Sequence, residues 1–364
     1  MASYRSIKDL DWLLLLVALF ICSLGILQIY SATHATKWAN AWWKQLIYVA
    51  LGLALMWLIS NVDYHTLLGQ VPVFYAVTIV LLITVLLIGT KVFGSRRWIP
   101  LFMGFHFQVS EFAKLVIILL VARYLTNLKK ERLEARELLK LGALVGVPMV
   151  LVMRQPDLGT SLTYVPVLVV GLFLAGLSVR QMVVLALLGV VTPIAAYNFL
   201  LRDYQKARLT SFMDPQRDRQ GSGYQVIQSQ IAIGSGSVWG RGITQGSQTQ
   251  YRFLPVPHTD FIFSTFAEEN GFVGVVAVLG LYLLLLLQIV QNAQTAPDRA
   301  GMYICMGVAA LLLFHLLVNV GMVVGRMPVT GIPLPLMSAG GSSTLSFFLM
   351  LGLVNNVRLR RFVN

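Results

Sequence analysis

His258-Thr259-Asp260-Phe261-Ile262-Phe263-Ser264-Thr265-Phe266-Ala267-Glu268-Glu269-Asn270 opens an apolar run that continues to residue 290. A run of this length crosses a bilayer as a helix. It carries one carboxylate, Asp260, at its mouth, and two more, Glu268 and Glu269, about 12 Å further in at the helical rise. A charge in hydrocarbon costs roughly 2.5–3.5 kcal/mol on insertion scales. Such groups are paired, line a wet cavity, or do work. The rest of the chain is read by asking what surrounds Asp260.

The flanking sequence decides the class. Of 364 residues, 57% are hydrophobic and 12% charged, too little polar surface for a soluble protein of this length. Apolar runs long enough to span a bilayer recur, and we read ten spans, roughly 12–31, 42–60, 71–90, 109–125, 138–153, 160–177, 181–201, 259–290, 299–324 and 339–356. The alternating ten-residue segments of a transmembrane β-barrel are not seen. The expected fold is an all-α polytopic integral membrane protein, one transmembrane domain over residues 1–364, with a large extracytoplasmic loop at 202–258 between helices 7 and 8. The run Trp12–Tyr30 reads as a retained first helix rather than a signal peptide. Cys22 and Cys305 sit inside apolar runs and read as small buried hydrophobes.

Ten spans place both termini on one side. Short loops on that side hold more Lys and Arg than short loops on the other, so the positive-inside rule puts both termini in the cytoplasm. Asp260 then faces outward. The net charge is +13, and the outer basic residues are its anomaly: Arg96, Arg97, Arg154, and, in the long loop, Arg202, Lys206, Arg208, Arg217, Arg219, Arg241 and Arg252. They read either as a surface facing anionic lipid or as a landing surface for an anionic lipid diphosphate.

The long loop has internal structure. Asp214-Pro215 marks a turn, and Tyr224–Ile233 reads as a short amphipathic helix at the interface. Gly234, Gly236, Gly240, Gly242 and Gly246 then punctuate a segment read as mobile. A long Gly-rich loop running into Asp260 is a candidate substrate lid, with a bland surface loop as the competing reading.

Topology brings polar residues together. The fourth span starts on the outer face with Ser110, Glu111 and Lys114; the last two are three apart and share a helix face. The fifth span exits into Arg154-Gln155-Pro156-Asp157-Leu158-Gly159-Thr160. The eighth begins at Asp260, and the tenth begins from Ser338-Ala339-Gly340-Gly341-Ser342-Ser343. Each has a plainer alternative: Asp260 as a helix cap, Glu111–Lys114 as a structural ion pair, Asp157 as a turn residue. Glu268 and Glu269 read as a buried structural network with Asn270 or as a proton-bearing pair. The five histidines show no metal-binding spacing, and no Walker loop is present. Neither a nucleotide nor a nucleic-acid partner is expected.

These residues resemble a family. Gly94-Ser95-Arg96-Arg97-Trp98, Ser110-Glu111 with Lys114, Gln155 to Thr160, Gly223-Tyr224-Gln225, His258-Thr259-Asp260-Phe261-Ile262-Phe263 with Glu268-Glu269, and Pro328 to Pro335 through Ser343 are similar to the SEDS proteins (RodA/FtsW/SpoVE-like). The resemblance covers most of the chain and is closer to the RodA, or elongation, branch than to FtsW, the division branch. Val109, Val256 and Ala339 depart from the family pattern and leave Asp260 untouched.

The resemblance implies a ten-helix glycosyltransferase of the cell inner membrane that polymerises lipid II into peptidoglycan on the outer face. It would work beside a class B penicillin-binding protein and the elongation machinery. It implies Asp260 as the catalytic residue, acting as base or as ligand of Mg²⁺ or another divalent cation. Candidate substrate-binding residues are Glu111, Lys114, Arg96, Arg97, Arg154, Asp157, Thr160, His258, Thr259, Ser338, Gly340, Gly341 and Ser342. Lys114 and the outer arginines would hold the leaving diphosphate. The rival readings are a lipid II flippase or transporter and a non-catalytic scaffold. The lack of evident repeats, and clustering at one face rather than the midplane, weigh against transport.

Overall fold

The computed structural model describes residues 10–92, 95–100, 106–128, 133–199, 203–218 and 221–361. The chain is a helical bundle. In order it runs α1 (Trp12–Thr33), α2 (Ala41–Asn61), α3 (Tyr64–Gly69), α4 (Val71–Ile88), β1 (Thr90–Val92), β2 (Ser95–Pro100), β3 (His106–Phe107) and α5 (Val109–Thr126). There follow α6 (Ala135–Arg154), α7 (Leu158–Leu162), α8 (Tyr164–Leu174), α9 (Val179–Phe199), α10 (Asp203–Met213), α11 (Ser222–Ser235) and α12 (Ser247–Gln250). The chain closes with α13 (Ile262–Gln294), α14 (Arg299–Val323) and α15 (Gly341–Arg360). Each of the ten predicted spans overlaps helix in its described residues. Five helices, α1, α2, α4, α13 and α14, are each long and apolar enough to cross a membrane. Their outward faces carry exposed Leu, Val and Phe side chains, as lipid-facing surfaces do.

The buried centre is built where α14 and α15 run through the bundle. Both are buried along most of their length, against α5, α8, α13 and α2. Small residues allow close approach. A Cβ added at Gly352 of α15 would stand 2.9 Å from the Met56 carbonyl oxygen of α2. At the end remote from Asp260, buried Asp11 caps α1 through Leu14 N and accepts from Asn292 and Gln288 of α13, with Arg358 of α15 at 3.0 Å. This ties three helices together by one carboxylate.

Two features escape a reading by hydropathy. Residues between α4 and α5 form a small antiparallel sheet in the order β1-β2-β3, with Ile99 opposite Phe107. And α13 is broken at Gly271, where φ is 64° and ψ is −168°, a conformation that L side chains avoid. The break releases main-chain groups that must find partners. The loop at 236–242 supplies them. Arg241 N and Gly242 N donate to the Glu268 and Glu269 carbonyls at 3.0 Å each, and Phe272 N and Val273 N donate to Ser237 O and Val238 O at 2.9 and 3.1 Å. Gly236 and Gly240 face this strip of α13, where an added Cβ would meet the Ala267 and Glu269 carbonyl oxygens at 2.1 and 2.2 Å. The glycine run read as mobile is instead docked into the helix break. It is glycine-rich because backbone meets backbone there.

Candidate functional site

The loop before α13 is fixed by its own carbonyls. His258 O accepts from Ala339 N at 2.9 Å, Thr259 O from Ser338 Oγ at 2.7 Å, and Asp260 O from Asn319 Nδ2 at 3.0 Å. Three consecutive carbonyls are therefore held by α14 and by the 328–340 segment. The Asp260 carboxylate has no hydrogen-bond donor of its own among the described residues. The helix begins only at Ile262, so Asp260 lies in the loop ahead of it.

Opposite Asp260 is Gly331, at φ +73°, where an added Cβ would stand 3.3 Å from Asp260 Oδ2. Its neighbour Thr330 lines a small crevice of about 90 Å³, with Arg97, Pro156, Asp157, Leu158, Leu162, Gln205, Arg208, Leu209, Pro328 and Val329. Arg97 comes from β2, Asp157 from the α6–α7 turn and Arg208 from α10. Arg97 donates to Pro156 O at 2.7 Å and lies 3.4 Å from Asp157 Oδ2. Arg208 donates to Val329 O at 3.2 Å. Burial raises the Asp260 carboxyl above the ordinary aspartate range; the Arg208 and Arg97 guanidiniums pull it back, and Asp157 adds to the rise. The site is thus an under-solvated acid facing two cations.

The predicted residues divide into those at the crevice and those that frame it. Arg97 and Asp157 line the crevice, and Asp260 stands beside it, against Gly331 next to Thr330. Asp157 also caps α7 through Thr160 N at 3.1 Å and accepts from Gln108 Nε2 at 3.2 Å, so both its oxygens are engaged. Thr160 serves that cap. Ser342 Oγ accepts from Gln108 N and donates to His106 O, which ties α15 to the start of α5. Gly340 N donates to Gln45 Oε1, and Gly341 lies against the Tyr48 ring. Thr259 Oγ1 turns back to Val256 O at 3.4 Å. His258 is buried beside Trp38, centroid to centroid 5.7 Å, and burial pushes its ring down to about 4, so it is neutral at physiological pH. Arg154 is exposed in the last turn of α6. Arg96 is in β2 with its side chain outside the described residues, as are Arg202 and Arg219.

Glu111 and Lys114 do pair, Nζ to Oε1 at 2.8 Å, and both are buried within the bundle. Neither lines the crevice. Lys114 Nζ also contacts His315 Nε2 at 3.1 Å. Among the described residues the cations acting on Asp260 are Arg208 and Arg97; Lys114 faces inward. Glu268 and Glu269 are likewise engaged inside the fold, away from the crevice. Glu269 accepts from Ser31 Oγ and Gln28 Nε2, and Asn270 joins through Gln28. Glu268 holds the loop at Gln248 and Thr249.

Residues 222–258 are docked against α13 and α14. Within the predicted lid, α10 is the part that overhangs the crevice, through Gln205, Arg208 and Leu209. The helix read as interfacial, α11, lays Val226, Ser229 and Ala232 on the protein, with Ser229 Oγ donating to Val323 O. A larger cavity of about 520 Å³ lies at the far end of α5, lined by Arg123, Tyr124, Glu137 and Lys140, remote from the acid. Sequence reasoning missed Gln108, His315 and Asn319 as parts of this site. Their one signal is polarity inside apolar runs.

Among the described residues no three His, Cys, Asp or Glu side chains converge as a metal site. A lone available carboxylate fits a divalent ion only where substrate oxygens complete the shell.

Comparison with known proteins follows the same lines. The family model FtsW/RodA/SpoVE, described as cell cycle protein, matches residues 11–361. The peptidoglycan glycosyltransferase RodA of Treponema pallidum is 35% identical, covering 98% of this chain and 99% of that protein. The peptidoglycan glycosyltransferase MrdB of Escherichia coli is 37% identical, covering 97% and 94%. A solved structure described as "Structural coordination of polymerization and crosslinking by a peptidoglycan synthase complex" superposes with a TM-score of 0.83 at 32% identity, over 98% of this chain and 99% of that one.

Proposed function

The chain belongs to the FtsW/RodA/SpoVE family, and we propose that it is a peptidoglycan glycosyltransferase that polymerises lipid II during cell elongation. The observation that carries the reading is the Asp260 carboxylate, pinned through its main chain, without a hydrogen-bond donor among the described residues and under the charge of Arg97 and Arg208. In this reading the 4-hydroxyl oxygen of the acceptor sugar attacks the anomeric carbon of the donor. Its proton passes to Asp260, and the bond from that carbon to the diphosphate oxygen breaks. The undecaprenyl diphosphate leaves as an anion, so no strong general acid is needed. Arg97 and Arg208 steady the departing charge. Inversion at the anomeric carbon follows from the single displacement.

Asp260 is the residue that would hold Mg²⁺ or another divalent cation, which would supply further charge stabilisation for the leaving diphosphate. The protein lies in the cytoplasmic membrane with both termini inside and Asp260 outward. The partner is a class B penicillin-binding protein that cross-links the strands, a reading supported by the likeness to a peptidoglycan synthase complex.

The direct test is purified protein, with and without the transpeptidase partner and with EDTA, on labelled lipid II. Glycan polymer without flipping in leaflet-resolved vesicles supports the reading; flipping without polymer overturns it. Further outcomes are expected from variants of the crevice and of Gly331. Arg208→Ala lowers kcat about 100–1000-fold, the usual scale for one charge-stabilising donor, and Arg208→Lys recovers part. The pH profile moves as well. Asp260 must be ionised to act, so the rate falls as pH drops through its raised pKa. Arg208 lowers that pKa, so Arg208→Ala shifts the acid limb to higher pH; an unmoved limb would separate Arg208 from the acid. Gly331→Ala places a side chain in a left-handed conformation, costing about 1–2 kcal/mol, and crowds the carboxylate. Both the unfolding midpoint and kcat should fall.

A further inference from the structure

The Glu111–Lys114 pair has no exposed surface to act on, yet it is joined by hydrogen bonds to the segment that faces Asp260. Lys114 Nζ donates to Glu111 Oε1 at 2.8 Å, and Ser346 Oγ stands 3.5 Å from Glu111 Oε2. The other partner of Nζ is His315 Nε2, at 3.1 Å. His315 Nδ1 is 3.1 Å from the carbonyl oxygen of Pro333. A carbonyl oxygen only accepts, so Nδ1 carries the proton and Nε2 offers its lone pair to the ammonium. The lysine thereby selects the imidazole tautomer that reaches Pro333. The Phe347 ring packs edge-on against His315 at 5.2 Å and restricts its rotation.

One helical turn later, on the same face of α14, Asn319 Nδ2 donates to Ile332 O at 2.8 Å and to Asp260 O at 3.0 Å. His315 and Asn319 are both fully buried. Asn319 Oδ1 has no partner, so the amide serves here as a donor alone. Two rungs of α14, four residues apart, thus grip consecutive carbonyls of the 328–338 segment, and the second rung also grips the main chain of the acid.

We propose that His315 and Asn319 are positioning residues for Asp260, and that Lys114 acts through His315 rather than on the substrate. The proposal rests on the reading of Asp260 as the residue at which the polymerase chemistry occurs. A base displaced by about an ångström loses on the order of a hundredfold in rate, so a device that fixes two carbonyls beside it governs kcat. A group that touches lipid II would show in KM as well.

The test uses the full chain in lipid nanodiscs, with kcat and KM for lipid II polymerisation and an unfolding midpoint for each variant. The charge pair is removed as a unit, Glu111→Gln with Lys114→Met, so that no lone ion stays buried. This pair and His315→Ala should each lower kcat about 10–100-fold with KM unchanged. Combined, they should cost no more than the worse of the two, because both cut one chain of contacts. His315→Gln, which donates to Pro333 from its amide nitrogen and accepts from Lys114 at its oxygen, should recover most of kcat. Asn319→Asp keeps the size but presents acceptors to two acceptors, and should lower kcat at unchanged KM.

Multiplying losses in the combined variant would overturn the proposal. So would a rise in KM with kcat intact on removing the charge pair, or no recovery in His315→Gln. If Asn319→Asp does not fold, the cycle between the charge pair and His315 decides alone. An inactive Asp260→Asn beside wild-type rates in every α14 variant would sink this proposal and leave the function standing. A fully active Asp260→Asn would sink the assignment of the chemistry to Asp260 and this proposal with it, whereas no polymer from the wild-type chain would sink the function itself.

Discussion

Asp260→Asn is expected to abolish lipid II polymerisation while leaving the fold unchanged. Removing a general base typically costs 10²–10⁴-fold in rate, and asparagine cannot accept the acceptor hydroxyl proton at any working pH. The fold should survive because, among the described residues, no hydrogen bond rests on the carboxylate. What fixes residue 260 is its carbonyl, bonded to Asn319, and the carbonyls of Thr259 and His258 before it. Asparagine keeps all of these and has nearly the same volume. Burial even favours the change, since the native carboxyl is raised by desolvation and a neutral amide escapes that cost. The expected signature is a wild-type or slightly raised unfolding midpoint with polymer formation lost. Polymer at a normal rate from purified Asp260→Asn would end both the base and the metal-ligand roles. Asp260→Glu separates the two: an extra methylene moves the carboxylate toward Gly331, so it should retain less than a tenth of the rate under the geometric demands of a base.

The helices are legible from sequence because bilayer thickness leaves a signature in every span, and the predicted spans coincide with α1, α2, α4, α5, α6, α9, α13, α14 and α15, with α7 and α8 sharing the sixth. The convergence of Asp157, Asp260 and the Ser338–Ser342 turn is legible for the same reason: once spans are counted, the side of each loop follows. What hydropathy does not carry is direction within a face. Glu111 and Lys114 share a helix face as their spacing requires, but that face looks inward to His315. The glycine run at 234–246 is equally ambiguous, because glycine serves mobile hinges and tight backbone contacts alike. The deciding partner, the break at Gly271, lies more than twenty residues away, inside a run that hydropathy reads as one continuous span. His315 and Asn319 read as isolated polar residues until α14 is seen against the 328–338 segment.

The same stretch that carries Asp260 supplies the contrasting case. Glu268→Ala should cost about 3–5 kcal/mol of stability, the range for breaking a buried polar network. Its Oε1 accepts from Gln248 N at 2.7 Å, and its Oε2 from Thr249 N at 3.1 Å and Thr249 Oγ1 at 2.8 Å. The two amides belong to the first turn of α12, whose donors have no partner within so short a helix. A carboxylate on α13 therefore caps a helix in the loop that repairs the break in α13. Removing it strands those donors in a site with little water, and the 236–242 main chain loses the anchor beside it. Limited proteolysis should then cut between residues 236 and 254 where the native protein resists, and the unfolding midpoint should fall. Glu268→Gln keeps one acceptor but turns an amide NH₂ toward backbone donors, so its loss should be smaller, about 1–3 kcal/mol. A native midpoint and native protease resistance in Glu268→Ala would mean that the loop is held elsewhere. If the expected result is found, two acids eight residues apart have opposite consequences: one costs activity without stability, the other costs stability and takes activity with it. The difference follows from donors. The acid with three strong hydrogen bonds at Glu268 builds the frame, and the acid at Asp260, with none among the described residues, is placed to receive a proton.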